Sequence, residues 1–155
     1  MKVLIKNGRV VTPRETHAAD VLIEGGRIIQ VGEGLPENGC ELFDASGCLL
    51  FPGFIDAHTH LDMDNGVTVS SDDFETGTAA AVCGGTTTIL DFATQDRGGT
   101  LAKALADWHA KADGKASCDY GFHMAITDWN DAVSREIDGM AQAGVTSFKL
   151  YLAYD

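Results

Sequence analysis

The strongest constraint on the fold is a change of pattern at Pro52-Gly53. After this pair, short apolar segments that predict strands alternate with longer segments that predict helices. The predicted strands are 54–58, 86–92, 120–126 and 145–152, and the predicted helices are 72–83, 101–112 and 131–143. This alternation is typical of parallel βαβ units. Four strands and three helices predict an α/β fold that contains the first half of a (β/α)8 TIM barrel.

The first fifty-one residues have a different pattern, with short strands and tight turns. Three turns predict hairpins: Asn7-Gly8, Gly25-Gly26, and the segment from Ala45 to Cys48 that separates 41–44 from 49–51. Strands this short and closely spaced favour part of a small antiparallel β-sandwich. The predicted domains are therefore 1–51, the sandwich strands, and 52–155, the first four strands of a truncated barrel.

The predicted barrel segment is incomplete. A half-barrel leaves two open sheet edges and an uncovered apolar face. The chain also stops at Asp155, directly after a predicted strand. We therefore expect the sequence to be the N-terminal part of a longer protein, and expect these residues alone to be inactive.

Charge and hydropathy exclude several classes of protein. The chain has 155 residues, a formal net charge of −12 and an isoelectric point near 4.6. An acidic surface repels phosphate backbones, so nucleic-acid binding is not expected. Neither a signal peptide nor an apolar stretch of membrane-spanning length is present, which predicts a cytoplasmic protein without membrane contact.

The four cysteines show no C-x-x-C spacing that would indicate a zinc knot or a redox motif. We expect all four to be reduced, and the surroundings of Cys83 and Cys118 predict buried thiols.

A histidine pair provides the first chemical signal. His58 and His60 end the segment Phe51-Pro52-Gly53-Phe54-Ile55-Asp56-Ala57-His58-Thr59-His60. Residues i and i+2 of a strand point to the same face, so both imidazoles could bind one metal ion. They fall at the carboxyl end of the first barrel strand, where barrel active sites are built. Two unrelated histidines would be the alternative, but the Pro-Gly entry and the apolar strand favour a metal site.

Lys149 provides the second signal. Alternation along 145–151 places it opposite the apolar Phe148 and Leu150, so it is predicted to point into the barrel. An unpaired buried ammonium is costly. Lys149 could therefore pair with a barrel acid, Asp56 or Asp91, or its neutral amine could add carbon dioxide and form a carbamate. The residues alone leave both possibilities open.

Four segments together resemble the dihydropyrimidinase/hydantoinase family of metal-dependent amidohydrolases. They are Ile55-Asp56-Ala57-His58-Thr59-His60-Leu61-Asp62-Met63, Asp72-Asp73-Phe74-Glu75-Thr76-Gly77-Thr78-Ala79-Ala80-Ala81, Gly84-Gly85-Thr86-Thr87-Thr88-Ile89-Leu90-Asp91-Phe92 and Ser147-Phe148-Lys149-Leu150-Tyr151-Leu152-Ala153-Tyr154. The likeness extends over nearly the whole sequence. It implies a TIM barrel beside a β-sandwich, two divalent metals, usually zinc, and a homo-oligomeric parent protein, a dimer or tetramer.

The resemblance also implies roles for single residues. His58 and His60 would bind the more buried metal, and carboxylated Lys149 would bridge both metals. Tyr154 would donate a hydrogen bond to the oxygen that becomes negative during catalysis. Two further histidines and an aspartate of the family lie later in its chains. His17, His109 and His123 do not match them; the first two are expected to be solvated, and His123 to be a core histidine.

The implied reaction is hydrolysis of a small cyclic amide, a dihydropyrimidine or a 5-substituted hydantoin, to an N-carbamoyl amino acid. Allantoinase and dihydroorotase are rival cyclic amidohydrolases. Asp62 stands where dihydroorotases usually carry an arginine for the substrate carboxylate, which argues against that substrate. A non-catalytic dihydropyrimidinase-related scaffold is the rival of another class. The segment 64–68 is more polar than the family's aryl-binding loop, so substrate preference stays open.

Overall fold

The computed structural model describes residues 1–152, and the chain divides into two compact units. The first comprises Met1–Pro52, and the second begins at Gly53. No helix within the described range has the length and apolar character needed to cross a membrane.

The first unit is a five-stranded sheet. Its strands are β1 (Lys2–Val11), β2 (Thr16–Glu24), β3 (Arg27–Gly32), β4 (Glu41–Asp44) and β5 (Leu49–Leu50). The order is β3-β2-β1-β4, and β5 also pairs with β1. The first three strands are antiparallel, and Leu4, Leu22 and Leu35 form a small core. The hairpin at Gly25-Gly26 is confirmed: both glycines have positive φ, 59° and 77°, as a tight two-residue turn requires.

The hairpin predicted at Asn7-Gly8 is wrong. These residues lie inside β1, where the pairing with β2 shifts register between Ile5 and Gly8. Asn7 has a φ of 62°, which asparagine tolerates better than most residues. Its amide side chain donates to Asp44 Oδ1 at 2.9 Å. The Asn-Gly pair therefore makes a β-bulge, and the chain turns later, where Thr12 N donates to Glu15 O at 2.9 Å.

The third predicted hairpin is also wrong. The two segments form strands, β4 and β5, but both pair in parallel with β1 instead of with each other. The turn between them returns the chain to the same edge: Ala45 N donates to Lys6 O, and Arg9 N donates to Cys48 O. Local turn signals cannot distinguish this arrangement from a hairpin, because the partner strand is about forty residues away in sequence.

The second unit is an α/β half-barrel, which confirms the predicted fold class. Its elements are β6 (Phe54–Thr59), α1 (Phe74–Cys83), β7 (Thr86–Thr94), α2 (Leu101–Ala112), β8 (Asp119–Ile126), α3 (Asp131–Gln142) and β9 (Phe148–Leu150). The four strands are parallel in the order β6-β7-β8-β9. β9 is shorter than predicted, and Asp73 caps α1.

The core of this unit lies between the sheet and its helices. Ile89 and Ala93 of β7, together with Phe122, Met124 and Ile126 of β8, pack against the helices. Trp108 of α2 joins the same core. Because strand side chains alternate, the other residues of these strands face the opposite side of the sheet, where the polar groups collect.

The predicted burial of two cysteines is wrong. Cys83 is exposed and Cys118 is half-buried. Cys83 ends α1, whose buried residues Phe74 and Thr78 lie near the start of the helix. All four cysteines are free thiols in the structure.

Candidate metal centre

Two histidines lie together at the carboxyl end of β6. His58 is in the strand, and His60 follows its last residue, Thr59. Their ring centroids are 5.1 Å apart, and the rings are inclined by 80°. Strand alternation predicted that the two imidazoles lie on one face, and in the structure they are adjacent.

The Pro-Gly pair before β6 allows the strand to enter close to its neighbour. A Cβ atom added to Gly53 would lie 2.0 Å from Thr87 Oγ1, so no larger residue fits without displacement of β7. The next residue, Phe54, donates its backbone N–H to Gly85 O at 3.0 Å. This close approach fixes the start of β6 against β7. It therefore also fixes the position along β7 at which the two histidines lie.

Phe92 of β7 forms the floor beneath the histidines. Its ring centroid lies 4.6 Å from that of His58, 4.9 Å from that of His60 and 4.8 Å from that of His123. The Lys149 ammonium lies 4.4 Å from the same centroid, within the range of a cation–π contact. Side chains from all four strands therefore meet around one aromatic ring. Sequence reasoning missed this role, although alternation along β7 could have placed Phe92 on the inward face.

The environment of His60 favours the form of imidazole that binds metals. Burial lowers the pKa of His60 below its ordinary value, and the nearby charges of Lys149 and His58 lower it further, while Asp91 opposes the shift. Its Nδ1 atom is buried and has no hydrogen-bond partner in the described part of the chain. A neutral imidazole with an unsatisfied buried nitrogen fits a metal ligand.

Lys149 faces this cluster and makes no ion pair with the acids proposed as its partners. Asp56 Oδ1 accepts from the His58 backbone N–H at 3.1 Å. Asp91 points to the other side of the sheet, where Trp108 Nε1 donates to it at 3.0 Å. The ion pairs within residues 1–152 do not include Lys149. The geometry therefore gives no support to neutralisation of Lys149 by Asp56 or Asp91.

His123 lies on the same face but is fully engaged in hydrogen bonds. Its Nε2 atom donates to Ala57 O at 3.0 Å, and its Nδ1 atom is bonded to Ser147 Oγ. Because a carbonyl can only accept, Nε2 carries a proton, and in the neutral imidazole Nδ1 accepts from the serine. His123 thus connects the strand of His58 to the residue two positions before Lys149. Both ring nitrogens are engaged, but His123 is half-buried and lies outside the apolar core, so the predicted core position is wrong.

The remaining two histidines lie elsewhere in the structure. His17 is in β2, and His109 of α2 contacts Asp113 at 3.1 Å. Tyr154 lies outside the described residues. Within residues 1–152, no group of three or more His, Cys, Asp or Glu side chains is arranged to hold a metal ion. A zinc ion bound by His58 and His60 would need further ligands, since zinc sites take three or four protein ligands.

The loop after His60 is an ordered hairpin. Met63 and Ser70 exchange hydrogen bonds, with Met63 N donating to Ser70 Oγ at 2.9 Å and Ser70 N donating to Met63 O at 2.9 Å. Val67 stands at its tip with 94% of its surface exposed. The loop begins at Asp62, which has a φ of 49° and whose carbonyl accepts from Lys111 Nζ at 2.6 Å.

The sequence model of the amidohydrolase family matches residues 49–147, which include the histidine pair and all three helices. The chain belongs to the amidohydrolase family. The matched amidohydrolase segment starts at β5 and ends just before Lys149.

Named relatives of this amidohydrolase are hydantoinases and dihydropyrimidinases. The D-hydantoinase of Geobacillus stearothermophilus is 52% identical over 155 residues, which cover 99% of this chain and 33% of that protein. The dihydropyrimidinase of Dictyostelium discoideum is 46% identical, over 98% of this chain and 31% of that protein. The crystal structure of dihydropyrimidinase from Brevibacillus agri matches with a TM-score of 0.96 and 49% identity, over 100% of this chain and 34% of that one. The chain thus spans about a third of the length of the relatives that it matches.

Proposed function

We propose that the protein carrying this sequence hydrolyses cyclic amides, either dihydropyrimidines or 5-substituted hydantoins, to N-carbamoyl amino acids. One observation carries the proposal: His58, His60 and Lys149 converge on Phe92 at the carboxyl end of a parallel sheet. Barrel enzymes build their active sites at this end. The names of the relatives, D-hydantoinase and dihydropyrimidinase, support the substrate class.

The residues present fit part of a binuclear metal site. His58 and His60 would hold one ion, because their rings are adjacent and the buried Nδ1 of His60 has no hydrogen-bond partner among residues 1–152. Lys149 would hold both ions once its amine has been carboxylated. Bound divalent metals would supply hydroxide near neutral pH, since they lower the pKa of water, and would polarise the ring carbonyl.

Carboxylation of Lys149 requires its neutral amine. The nitrogen lone pair forms a bond to the carbon of carbon dioxide, and the nitrogen then releases a proton. The product is a carbamate with one negative charge, so a cation above Phe92 becomes a carboxylate-like ligand. This exchange would remove the positive charge that now lies near His60.

Tyr154 completes the part of the mechanism that this chain supplies. We propose that its hydroxyl donates to the carbonyl oxygen of the substrate as that oxygen becomes negative, which stabilises the transition state more than the ground state. Hydroxide derived from water forms a bond to this carbon, the bond between the carbon and the ring nitrogen then breaks, and the nitrogen takes up the proton that the water gave up.

We extend the same proposal to the identity of the metals, the oligomeric state and the cellular compartment. The metals are zinc, the parent protein forms a homo-oligomer, and it acts in the cytoplasm. Zinc is supported by the imidazole ligands, which suit this ion. The oligomer and the compartment are supported by the family resemblance alone.

A ring-opening assay tests the proposed function. The full-length protein, loaded with zinc, should hydrolyse dihydrouracil or a 5-substituted hydantoin, lose this activity after chelation, and regain it when zinc is returned. Dihydroorotate and allantoin should be tested in parallel, because turnover of either in preference would assign a rival cyclic amidohydrolase. A metal-loaded protein that opens none of these rings would contradict the proposal and favour a scaffold.

A further inference from the structure

Asp91 is a fully buried carboxylate for which the proposed mechanism has no use. Its side chain is 0% exposed and belongs to β7, on the face that packs against α2. Four donors surround it, and none of them is a cation: Phe92 N at 2.7 Å and Trp108 Nε1 at 3.0 Å bond to Oδ1, while Leu61 N at 2.8 Å and Thr59 Oγ1 at 2.9 Å bond to Oδ2. A buried carboxylate held only by neutral donors is expensive, so its position calls for an explanation.

The two donors to Oδ2 flank His60 directly. Thr59 precedes this histidine and Leu61 follows it, and both bond to the same carboxylate oxygen. β6 ends at Thr59, so His60 lies beyond the part of the chain that the backbone ladder fixes. The pairing of β6 with β7 is already irregular between Asp56 and Thr59. The Asp91 carboxylate therefore supplies hydrogen bonds on both sides of His60, the proposed metal ligand, where the backbone hydrogen bonds of the sheet have ended.

We call the Asp91 carboxylate, with its Oδ2 bonds to Thr59 and Leu61, the clamp. Its other oxygen, Oδ1, connects the clamp to α2. Oδ1 accepts from Trp108 of α2, and Lys111 of the same helix lies 4.2 Å from the Trp108 ring centroid. Lys111 also donates to Asp62 O at 2.6 Å. The backbone on the carboxyl side of His60 is therefore held twice to α2, once through Asp91 and once through Lys111.

We propose that Asp91 is a positioning residue of the metal centre, which holds the backbone on both sides of His60 so that its imidazole meets the metal in one orientation. This inference rests on the proposed function for the identity of the ligand, but the clamp itself is a property of the metal-free chain. Groups that orient metal ligands without touching the metal commonly change metal affinity by about 10–100-fold.

Three substitutions in the full-length protein separate this role from plain stabilisation. Asp91→Asn keeps the size of the side chain, but it replaces one of the two acceptor oxygens with an amide nitrogen, which can only donate. Two of the four donors around this side chain then have no acceptor. Thr59→Val removes one of the two bonds beside His60. Trp108→Phe removes the bond to α2 and part of the ring beneath Lys111, but it leaves both bonds to Oδ2 in place, so it serves as the matched control for disturbance of the buried network.

Two measurements decide the proposal. Competition with a chromophoric zinc chelator should show zinc binding weakened about 10–100-fold in Asp91→Asn and severalfold in Thr59→Val, but changed less than about twofold in Trp108→Phe. In metal-free protein, hydrogen exchange of the Leu61 amide should rise about tenfold or more in Asp91→Asn and much less in Trp108→Phe.

The outcomes distinguish the two proposals. A wild-type protein that binds no zinc would refute the metal centre, while the exchange experiment would still test the clamp. Unchanged exchange at Leu61 in Asp91→Asn, or equal losses of zinc affinity in Asp91→Asn and Trp108→Phe, would overturn the positioning role. If Asp91→Asn does not fold, Thr59→Val against Trp108→Phe decides the question by the same two readouts.

Discussion

Replacing Lys149 with methionine in the full-length protein is expected to reduce ring-opening turnover by about a thousandfold or more, because several kcal/mol of metal-based stabilisation is lost and each 1.4 kcal/mol, roughly, is a factor of ten. Methionine approximates the length of the lysine stem, but it cannot form a carbamate. The lysine ammonium lies 4.4 Å from the Phe92 ring centroid, on the same ring that the two histidines contact.

Lys149→Arg is the matched control for charge. If Lys149 acts as a cation, arginine should retain a substantial part of the turnover, whereas a carbamate ligand predicts that both variants are inactive. Added short-chain carboxylates should partly restore turnover to Lys149→Met, since a carboxylate can occupy the place of the carbamate. An active Lys149→Arg variant would contradict a carboxylated lysine.

Replacing Tyr154 with phenylalanine is expected to lower kcat by about a hundredfold or more, the usual loss for one donor to a developing oxyanion. The metal content should not change, because the hydroxyl is proposed to bind substrate and not metal. The assay is steady-state ring opening with metal analysis of the same samples.

Tyr120→Phe provides the control for the loss of a tyrosine hydroxyl. Tyr120 lies near the amino end of β8, and its hydroxyl bonds to Asp113, far along the strand from the histidine cluster. It should keep normal turnover. A normal kcat in Tyr154→Phe would remove Tyr154 from the mechanism, and a loss of metal in that variant would assign it a structural role instead.

The helices and the parallel strands could be predicted because their signals are local. α2 begins and ends at the predicted residues, Leu101 and Ala112, and Thr100 caps it. The N-terminal unit was harder, because Asn7-Gly8 can form either a hairpin turn or a bulge, and only the pairing of β1 with β2 decides between them. The parallel pairing of β4 and β5 likewise depends on a strand that is distant in sequence.

The candidate site was predictable to the extent that it depends on alternation. The period of two along a strand was enough to place His58 and His60 together and to turn Lys149 inward. The contacts between strands were not predictable in this way. The bonds of His123 to Ala57 and Ser147, and those of Asp91 to the residues beside His60, join segments that are adjacent only after folding.

The central claim is that His58, His60 and Lys149 belong to one binuclear metal site. Anomalous diffraction at the zinc edge, on crystals of the full-length protein prepared with zinc, tests it most directly. We predict two peaks about 3.5–4 Å apart. One should lie about 2.0–2.1 Å from an imidazole nitrogen of His58 and of His60. Density for a carbamate should extend from Lys149 to both. A zinc-free cluster, or a metal-loaded site in which Lys149 keeps a free amine, would contradict the claim.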